Sequence, residues 1–185
     1  MIELRTYPKH AVPREIAAQI RSFIRMQWPF LNGQQNRIWD FAPANGEPTT
    51  FVLVDDEILV SHTEVNYRPV EFAGQTLKVG GLSAVFTYPA FRGGGHARRI
   101  VSAATESILN SDADLAILFC GGALENFYSA CGWTAMKNAR VLYGARESPQ
   151  LKDDNLVMMV FVSARGKALR DTLDREQIYV GAKTW

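Results

Sequence analysis

The stretch Val85-Phe86-Thr87-Tyr88-Pro89-Ala90-Phe91-Arg92-Gly93-Gly94-Gly95-His96-Ala97 joins a strand-like run to a helical one across three consecutive glycines. Glycine has no side chain and tolerates positive φ. A helix N-terminus presents unpaired N–H groups and the positive end of the helix dipole. The combination makes a nest for phosphate oxygens, to which Arg92, Arg98 and Arg99 add charge. The same residues also fit a tight turn that only caps a helix. No Lys-Ser or Lys-Thr follows the last glycine, so the turn is not a P-loop. It is not a dinucleotide fingerprint either. The strand before it belongs to an antiparallel meander, and no acidic residue ends a second strand at the expected distance.

That meander lies upstream. Phe51–Val54 is apolar and β-branched, Asp55-Asp56 makes a turn, and Ile58–Tyr67 returns. Gly74-Gln75 turns again into Leu77–Thr87, so three strands are expected. Before them, Met1–Tyr7 reads as a short strand. Pro13 opens a helix whose residues Ile16, Ile20, Phe23, Ile24 and Gln27 form one stripe. Pro29 and Asn32-Gly33 end it. The stretch Phe41–Thr50 reads as a loop.

Downstream of the glycines, Ala97, Ile100, Val101, Ala104 and Ile108 hold one helix face, opposite Arg98, Arg99, Ser102 and Glu106. Leu115–Cys120 is a continuous apolar run, as in a strand buried on both faces. Ala123–Cys131 reads as a short helix stopped by Gly132. Ala139–Tyr143 and Leu156–Ser163 read as a late pair of strands, separated by a polar loop. The order predicts an α/β (α+β) domain with helices on a mixed central sheet.

Composition agrees with one domain spanning residues 1–185 and excludes several classes. The chain has 185 residues, 47% of them hydrophobic, which suffices for a sizeable core. A net charge of +1 supplies no long-range field for nucleic acid or an anionic membrane. No run reaches the roughly 18–20 apolar residues of a membrane span, and Met1–His10 lacks a signal-peptide core. A cytoplasmic location is expected. Cys120 and Cys131 read as buried reduced thiols. The three histidines form no metal cluster, and no metal is expected.

The glycine stretch resembles the acetyl-CoA signature of the GNAT N-acetyltransferases, Arg/Gln-x-x-Gly-x-Gly/Ala. The resemblance implies a GNAT-like mixed, largely antiparallel sheet flanked by helices. It implies that Arg92, Gly93, Gly94, Gly95, His96, Ala97 and Arg98 cradle the CoA pyrophosphate. The backbone of Val85, Phe86 and Thr87 would then line the pantetheine channel. Phe127-Tyr128-Ser129-Ala130-Cys131-Gly132-Trp133 is similar to that family's second signature, Tyr-x-x-x-Gly-Phe/Trp. That puts Tyr128 near the CoA sulfur as the catalytic acid. A phenol of pKa about 10 is protonated at pH 7 and can deliver a proton to a leaving thiolate. A Tyr in a short apolar helix also reads as a core residue with its hydroxyl satisfied.

From about Glu57 to Ala97, the pattern His62…Arg68…Gly74…Leu77…Gly80…Val85…Arg92-Gly93 resembles the aminoglycoside 2'-N-acetyltransferases. Those enzymes also end in tryptophan, as Trp185 does here. The resemblance implies a terminal carboxylate that helps hold an amino sugar. Two positions depart from it. Ser83 stands where that family has a glutamate on the third meander strand, and Lys183 where it has an aspartate. A hydroxyl cannot take a proton from an ammonium at pH 7; it can hold a water or the amine. Ser83, Asp40 and Trp185 are the expected acceptor-side residues. Glu64, Glu71, Asp153 and Asp154 are further carboxylates that either compensate or are solvated charges. His62 and Glu64 share one strand face, as a general-base pair or as a hydrogen-bonded structural histidine. Phe23, Trp28, Phe30, Trp39 and Phe41 either pack the core or meet an apolar acceptor.

The implied activity is acetyl transfer from acetyl-CoA, a co-substrate, directly to a primary amine of a small molecule, with an aminoglycoside-like acceptor as one expectation. Alternatives are a non-catalytic acyl-CoA-binding module and transfer of a longer acyl chain. Neither nucleic acid nor membrane is an expected partner. The apolar run Leu156–Val162 would permit a homodimer paired through late strands.

Overall fold

The computed structural model describes residues 1–29 and 48–185. Seven strands form the main sheet in the order β1 (Ile2–Pro8), β2 (Thr49–Asp55), β3 (Ile58–Phe72), β4 (Gln75–Thr87), β5 (Leu115–Cys120), β9 (Leu156–Phe161), β6 (Thr134–Ala135). Only the β4–β5 pair is parallel; every other ladder in this sheet is antiparallel. A smaller sheet carries β10 (Gln177–Tyr179), β7 (Arg140–Tyr143) and β8 (Gln150–Leu151), with β7 in the middle. The fold is the mixed, mostly antiparallel α+β arrangement that the sequence implied.

Side-chain alternation divides the main sheet into two differently covered faces. On one, α2 (His96–Leu109) seats Ile100, Val101, Ala104 and Ile108 against Phe51, Leu53, Val65, Leu82, Ala116 and Leu118. The short helix α3 (Glu125–Ser129) joins the same cluster through Tyr128. On the other face, α1 (Arg14–Gln27) packs Ile16, Ile20, Phe23 and Ile24 on Val52, Val54, Leu59 and Phe86. The small sheet covers the rest of that face around Leu77, Val79, Leu115, Ile117 and Met159. Leu115–Cys120 matches the expected strand, with neighbours in clusters on both faces.

Several expectations need correcting. Pro13 stands just before the first helical residue, and Gln27 is exposed, so the α1 stripe ends at Ile24. Strand β3 runs on past Tyr67, through Pro69, to Phe72. The last β2–β3 pair is Thr49–Val65, so Pro69 lies where β3 has no second partner in this sheet and a missing N–H is tolerated. Ala139–Tyr143 and Leu156–Ser163 are not paired with each other. The first belongs to the small sheet, whereas Leu156–Phe161 is inserted between β5 and β6. That apolar run is therefore a largely buried inner strand, with β6 paired to it at Met158 and Met159. The polar loop contains β8, and two short helices, α4 (Ala164–Ala168) and α5 (Arg170–Leu173), follow β9.

Asp114 ties three of these elements together at the entrance to β5. Its carboxylate accepts the Lys78 N–H at 2.9 Å, the Ser163 hydroxyl at 2.7 Å and Arg165 Nε at 3.0 Å. Burial pushes this carboxyl up, but the hydrogen bonds from Arg165, Ser163 and Lys78 prevail and hold it below the usual range. A depressed carboxylate contributes stability above its unfolded pKa, and that contribution is lost as pH falls through the folded pKa. Asp114→Ala is expected to lower unfolding free energy by about 2–3 kcal/mol in denaturant titration. It should also flatten the acid side of the stability–pH curve; an unchanged acid limb would refute this assignment.

Candidate active site

The glycine turn is built as a nest. Pro89–Phe91 forms a single tight turn, and Arg92 Nε donates to the Thr87 carbonyl at 3.1 Å, fixing the loop to the end of β4. Gly93 and Gly95 have φ of +85° and +76°, which L side chains adopt only at a cost. Gly95 precedes α2 directly, and no side chain caps that helix. The Arg99 N–H bonds to the Gly95 carbonyl, so the amides of His96, Ala97 and Arg98 precede the first intrahelical bond. Arg92, the three glycines and Arg98 are exposed, with His96 and Ala97 half-buried, so the N–H groups and charges face outward.

Beside this loop the sheet opens. Parallel pairing of β4 with β5 covers only Val79–Leu115, Gly80–Ala116 and Gly81–Ile117. Beyond Gly81, β4 continues to Thr87 without β5. Its other edge shifts register against β3 between His62 and Glu64, opposite Ala84. Ala84 has φ of +51°, an uncommon conformation for a residue with a Cβ, and marks a β-bulge. Val85 is half-buried, and Phe86 and Thr87 are buried. Phe86 stacks on Phe23 of α1 at 3.9 Å between ring centroids, and the Ser61 hydroxyl donates to the Phe86 carbonyl at 2.6 Å. These contacts hold the strand end apart from β5. The gap between β4 and β5 is thus set by the bulge on one side and α1 packing on the other.

Tyr128 stands on the α2 side of this gap. Its carbonyl accepts from both the Cys131 and Trp133 N–H groups, and Gly132 at φ of +92° reverses the chain. Trp133 Nε1 donates to Thr105 of α2 at 2.9 Å, and the Thr105 hydroxyl donates to the Val101 carbonyl at 2.8 Å. This buried relay fixes the α3 turn to α2. The Tyr128 side chain is 6% exposed, and its hydroxyl has no hydrogen-bond partner among the described residues. Burial, reinforced by Cys120 and Cys131, pushes the phenol well above its ordinary pKa and keeps it protonated.

A polar row faces the other way. His62, Glu64, Asn66 and Arg68 alternate along β3, and all four are buried on the α1 side. Thr50, Glu64 and Ser83 are direct cross-strand partners in register. His62 Nδ1 is 2.9 Å from the Ala84 carbonyl, at the bulge itself. The C-terminus ends in this row. Trp185 Nε1 donates to the Asn66 carbonyl at 3.1 Å, its ring lies 3.6 Å from the Arg68 guanidinium, and Arg68 Nη1 donates to the Lys183 carbonyl at 2.6 Å. The indole rests directly on the Gly81 backbone, in space that a Cβ would occupy. Burial alone pulls the Arg68 pKa down to about 10, so it remains a cation at neutral pH.

The expected residues therefore fall into three groups around one gap. Arg92 to Arg98 form the loop, Val85 to Thr87 line the gap, and Tyr128 approaches from the α2 face. Ser83 and Trp185 share the opposite face, where Gly81 lies two residues from Ser83 on β4. Asp40 lies outside the described residues, as do Phe30, Trp39 and Phe41. Phe23 is core packing and Trp28 packs against it. Glu71 is exposed and hydrogen-bonded by Thr76, and Asp154 is ion-paired with Lys152. Sequence reasoning missed Asn66, Gly81 and Arg68 as the seat of Trp185. The only signal available was four polar residues alternating along a strand that has to be buried.

Residues 4–136 match the acetyltransferase (GNAT) domain. The chain belongs to the GNAT acetyltransferase family. No curated protein matches its sequence. Among solved structures, the GNAT family N-acetyltransferase YhbS from Escherichia coli, in complex with CoA, has TM-score 0.63 at 15% identity, covering 96% of this chain and 88% of that one. Escherichia coli ElaA has TM-score 0.57 at 17% identity, covering 86% and 99%. An aminoglycoside 6'-N-acetyltransferase complexed with coenzyme A has TM-score 0.58 at 10% identity, covering 87% and 98%. At these identities the likeness is one of fold. Among the described residues of this acetyltransferase, no helix is long and apolar enough to cross a membrane.

The seat of the C-terminus yields a direct test. Gly81→Ala leaves no room for the Trp185 ring and should expel it, lowering stability by about 1–3 kcal/mol as for other overpacked sites. Deleting Trp185 alongside Gly81→Ala should then cost little further, whereas additive losses would show that the two residues do not interact.

Proposed function

We propose that this GNAT protein is a single catalytic domain that transfers the acetyl group of acetyl-CoA directly to a primary amine of a small molecule. The observation that carries the reading is the gap between β4 and β5, with an uncapped, glycine-lined helix start at its mouth and the buried phenol of Tyr128 on one side. The pyrophosphate would lie on the amides of Gly93 to Arg98, with Arg92 and Arg98 adding charge. The pantetheine arm would follow the unpaired edge of Val85 to Thr87, where backbone groups left free by β5 can accept and donate hydrogen bonds. The thioester would then sit in the gap, open to both faces of the sheet. CoA in the complexes of two fold neighbours is in keeping with this reading.

Chemistry follows from that placement. The amine attacks the thioester carbonyl, and the tetrahedral intermediate collapses with expulsion of a thiolate. Tyr128, kept protonated by burial, donates its proton to the sulfur. The acceptor enters on the α1 face, next to Ser83 and the anchored Trp185. The seating of Trp185 on Asn66, Arg68 and Gly81 is in keeping with the resemblance to the aminoglycoside 2'-N-acetyltransferases. Ser83 and Lys183 each remove a carboxylate that would attract a polycation. The acceptor we favour is therefore an amine with fewer positive charges than an aminoglycoside.

Two measurements test the proposal. Acetyl-CoA binding by titration calorimetry should be lost in Gly94→Asp. The new Cβ meets only the end of the His96 ring, so the fold should tolerate it while the carboxylate repels phosphate. Unimpaired binding by the variant would remove the loop from the site. Tyr128→Phe should bind acetyl-CoA as wild type does, yet lose about 10²-fold or more in kcat. Full activity in that variant would end the acid role.

A further inference from the structure

The amine reaches an active site at neutral pH mainly as an ammonium, since alkyl ammonium groups titrate near pH 10. It has to lose a proton before its lone pair can attack, and Ser83 cannot accept one. Glu64 is positioned to do so. It is the direct cross-strand partner of Ser83, on the same face of the sheet, next to the Ala84 bulge that opens the gap. Its side chain retains only 5% exposure. Yet among the described residues its carboxylate makes no short hydrogen bond. Thr50 Oγ1 lies at 3.4 Å, His62 Nε2 at 3.7 Å and Lys9 Nζ at 3.8 Å. A charge-assisted hydrogen bond is about 2.7–2.9 Å long. A buried carboxylate normally fills its lone pairs at such distances, because leaving them unfilled is costly. Glu64 keeps acceptor capacity in hand on the acceptor's side of the gap.

We propose that Glu64 takes the proton from the acceptor ammonium, resting on the acetyltransferase reading above. Proton balance closes with the residues at hand. The ammonium gives one proton to Glu64 and becomes a free amine. Its nitrogen forms the N–C bond to the acetyl carbon and sheds a second proton as the C–S bond breaks. That second proton makes good the one that Tyr128 hands to sulfur, and Glu64 releases the first to solvent. Acid and base thus act from opposite faces of the sheet. Lys9 from the turn after β1 and His62 from β3 flank the carboxylate and orient it, while Thr50 supports it from β2.

The test compares wild type, Glu64→Gln and the double variant Glu64→Gln/Ser83→Glu, each first checked for acetyl-CoA binding by calorimetry. Turnover is followed by thiol release with a fixed amine panel of tobramycin, tryptamine, spermidine and lysine methyl ester, from pH 6 to 10. Glu64→Gln should bind acetyl-CoA normally and lose about 10²-fold in kcat/KM at pH 7. That deficit should shrink steadily as the pH nears 10, where the amine arrives already deprotonated. The double variant returns a carboxylate to the same face one strand away, and should recover much of the loss at pH 7. A deficit that is the same at every pH, or no deficit, overturns the role of Glu64 while leaving the acetyltransferase reading intact. Acetyl-CoA binding without turnover of any amine by wild type would overturn both.

Discussion

The parallel ladder between β4 and β5 stops after three residue pairs, and the site depends on that stop. Paired along its length, β4 would present no free backbone and the sheet would have no opening. Two constraints keep the strands apart. The bulge at Ala84 turns β4 out of register with β3, and the Phe23–Phe86 stack draws its end towards α1. Both act on β4, whereas β5 is buried on both faces and held by β9 along all six of its residues. The gap is thus a deformation of one strand against a rigid neighbour. This is how a strained backbone conformation at a functional site persists: the surroundings over-determine it.

An opening in the middle of a sheet separates chemistry that would otherwise interfere. On the α2 face, Tyr128 shares a buried cluster with Val101, Leu118, Cys120 and Cys131, an environment that disfavours phenolate and preserves a donor. On the α1 face, His62, Glu64, Asn66 and Arg68 form a buried polar row with a cation at one end and a carboxylate near the other. A carboxylate beside the phenol would compete for the proton intended for sulfur. On the mechanism proposed here, interposing the β-sheet would keep the two groups apart and leave a thioester between the strands open to both.

What the sequence made legible was local. The glycine turn, α2, β5 and the Tyr128-to-Trp133 turn are contiguous segments whose periodicity and glycine placement identify them without tertiary information. The fold class followed from their order. What stayed hidden was set by long-range packing or by very short elements. Strands β6 and β8 have two residues each, below any periodic signal. The late strands looked like partners because both are apolar, yet β9 is captured by β5, which precedes it by α3 and three short strands. Ala84 carries no mark of its positive φ, since the conformation is imposed by neighbours on both sides. Glu64 was legible as one of several carboxylates and as a neighbour of His62 on one strand face, and the β3–β4 register then set it opposite Ser83.

The C-terminal tail completes the α1 face of the sheet beside the gap. Trp185 returns across 119 residues to the Asn66 carbonyl, where its indole is held by a hydrogen bond, a guanidinium and the bare backbone of Gly81. Each contact requires the others. Arg68, buried without a carboxylate partner among the described residues, is stabilised by the ring face and the Lys183 carbonyl. The ring fits only because position 81 lacks a Cβ. Gly81 is also the last residue of β4 paired with β5, so the tail docks where the gap begins. The seat of Trp185 and the opening of the sheet thereby share one residue.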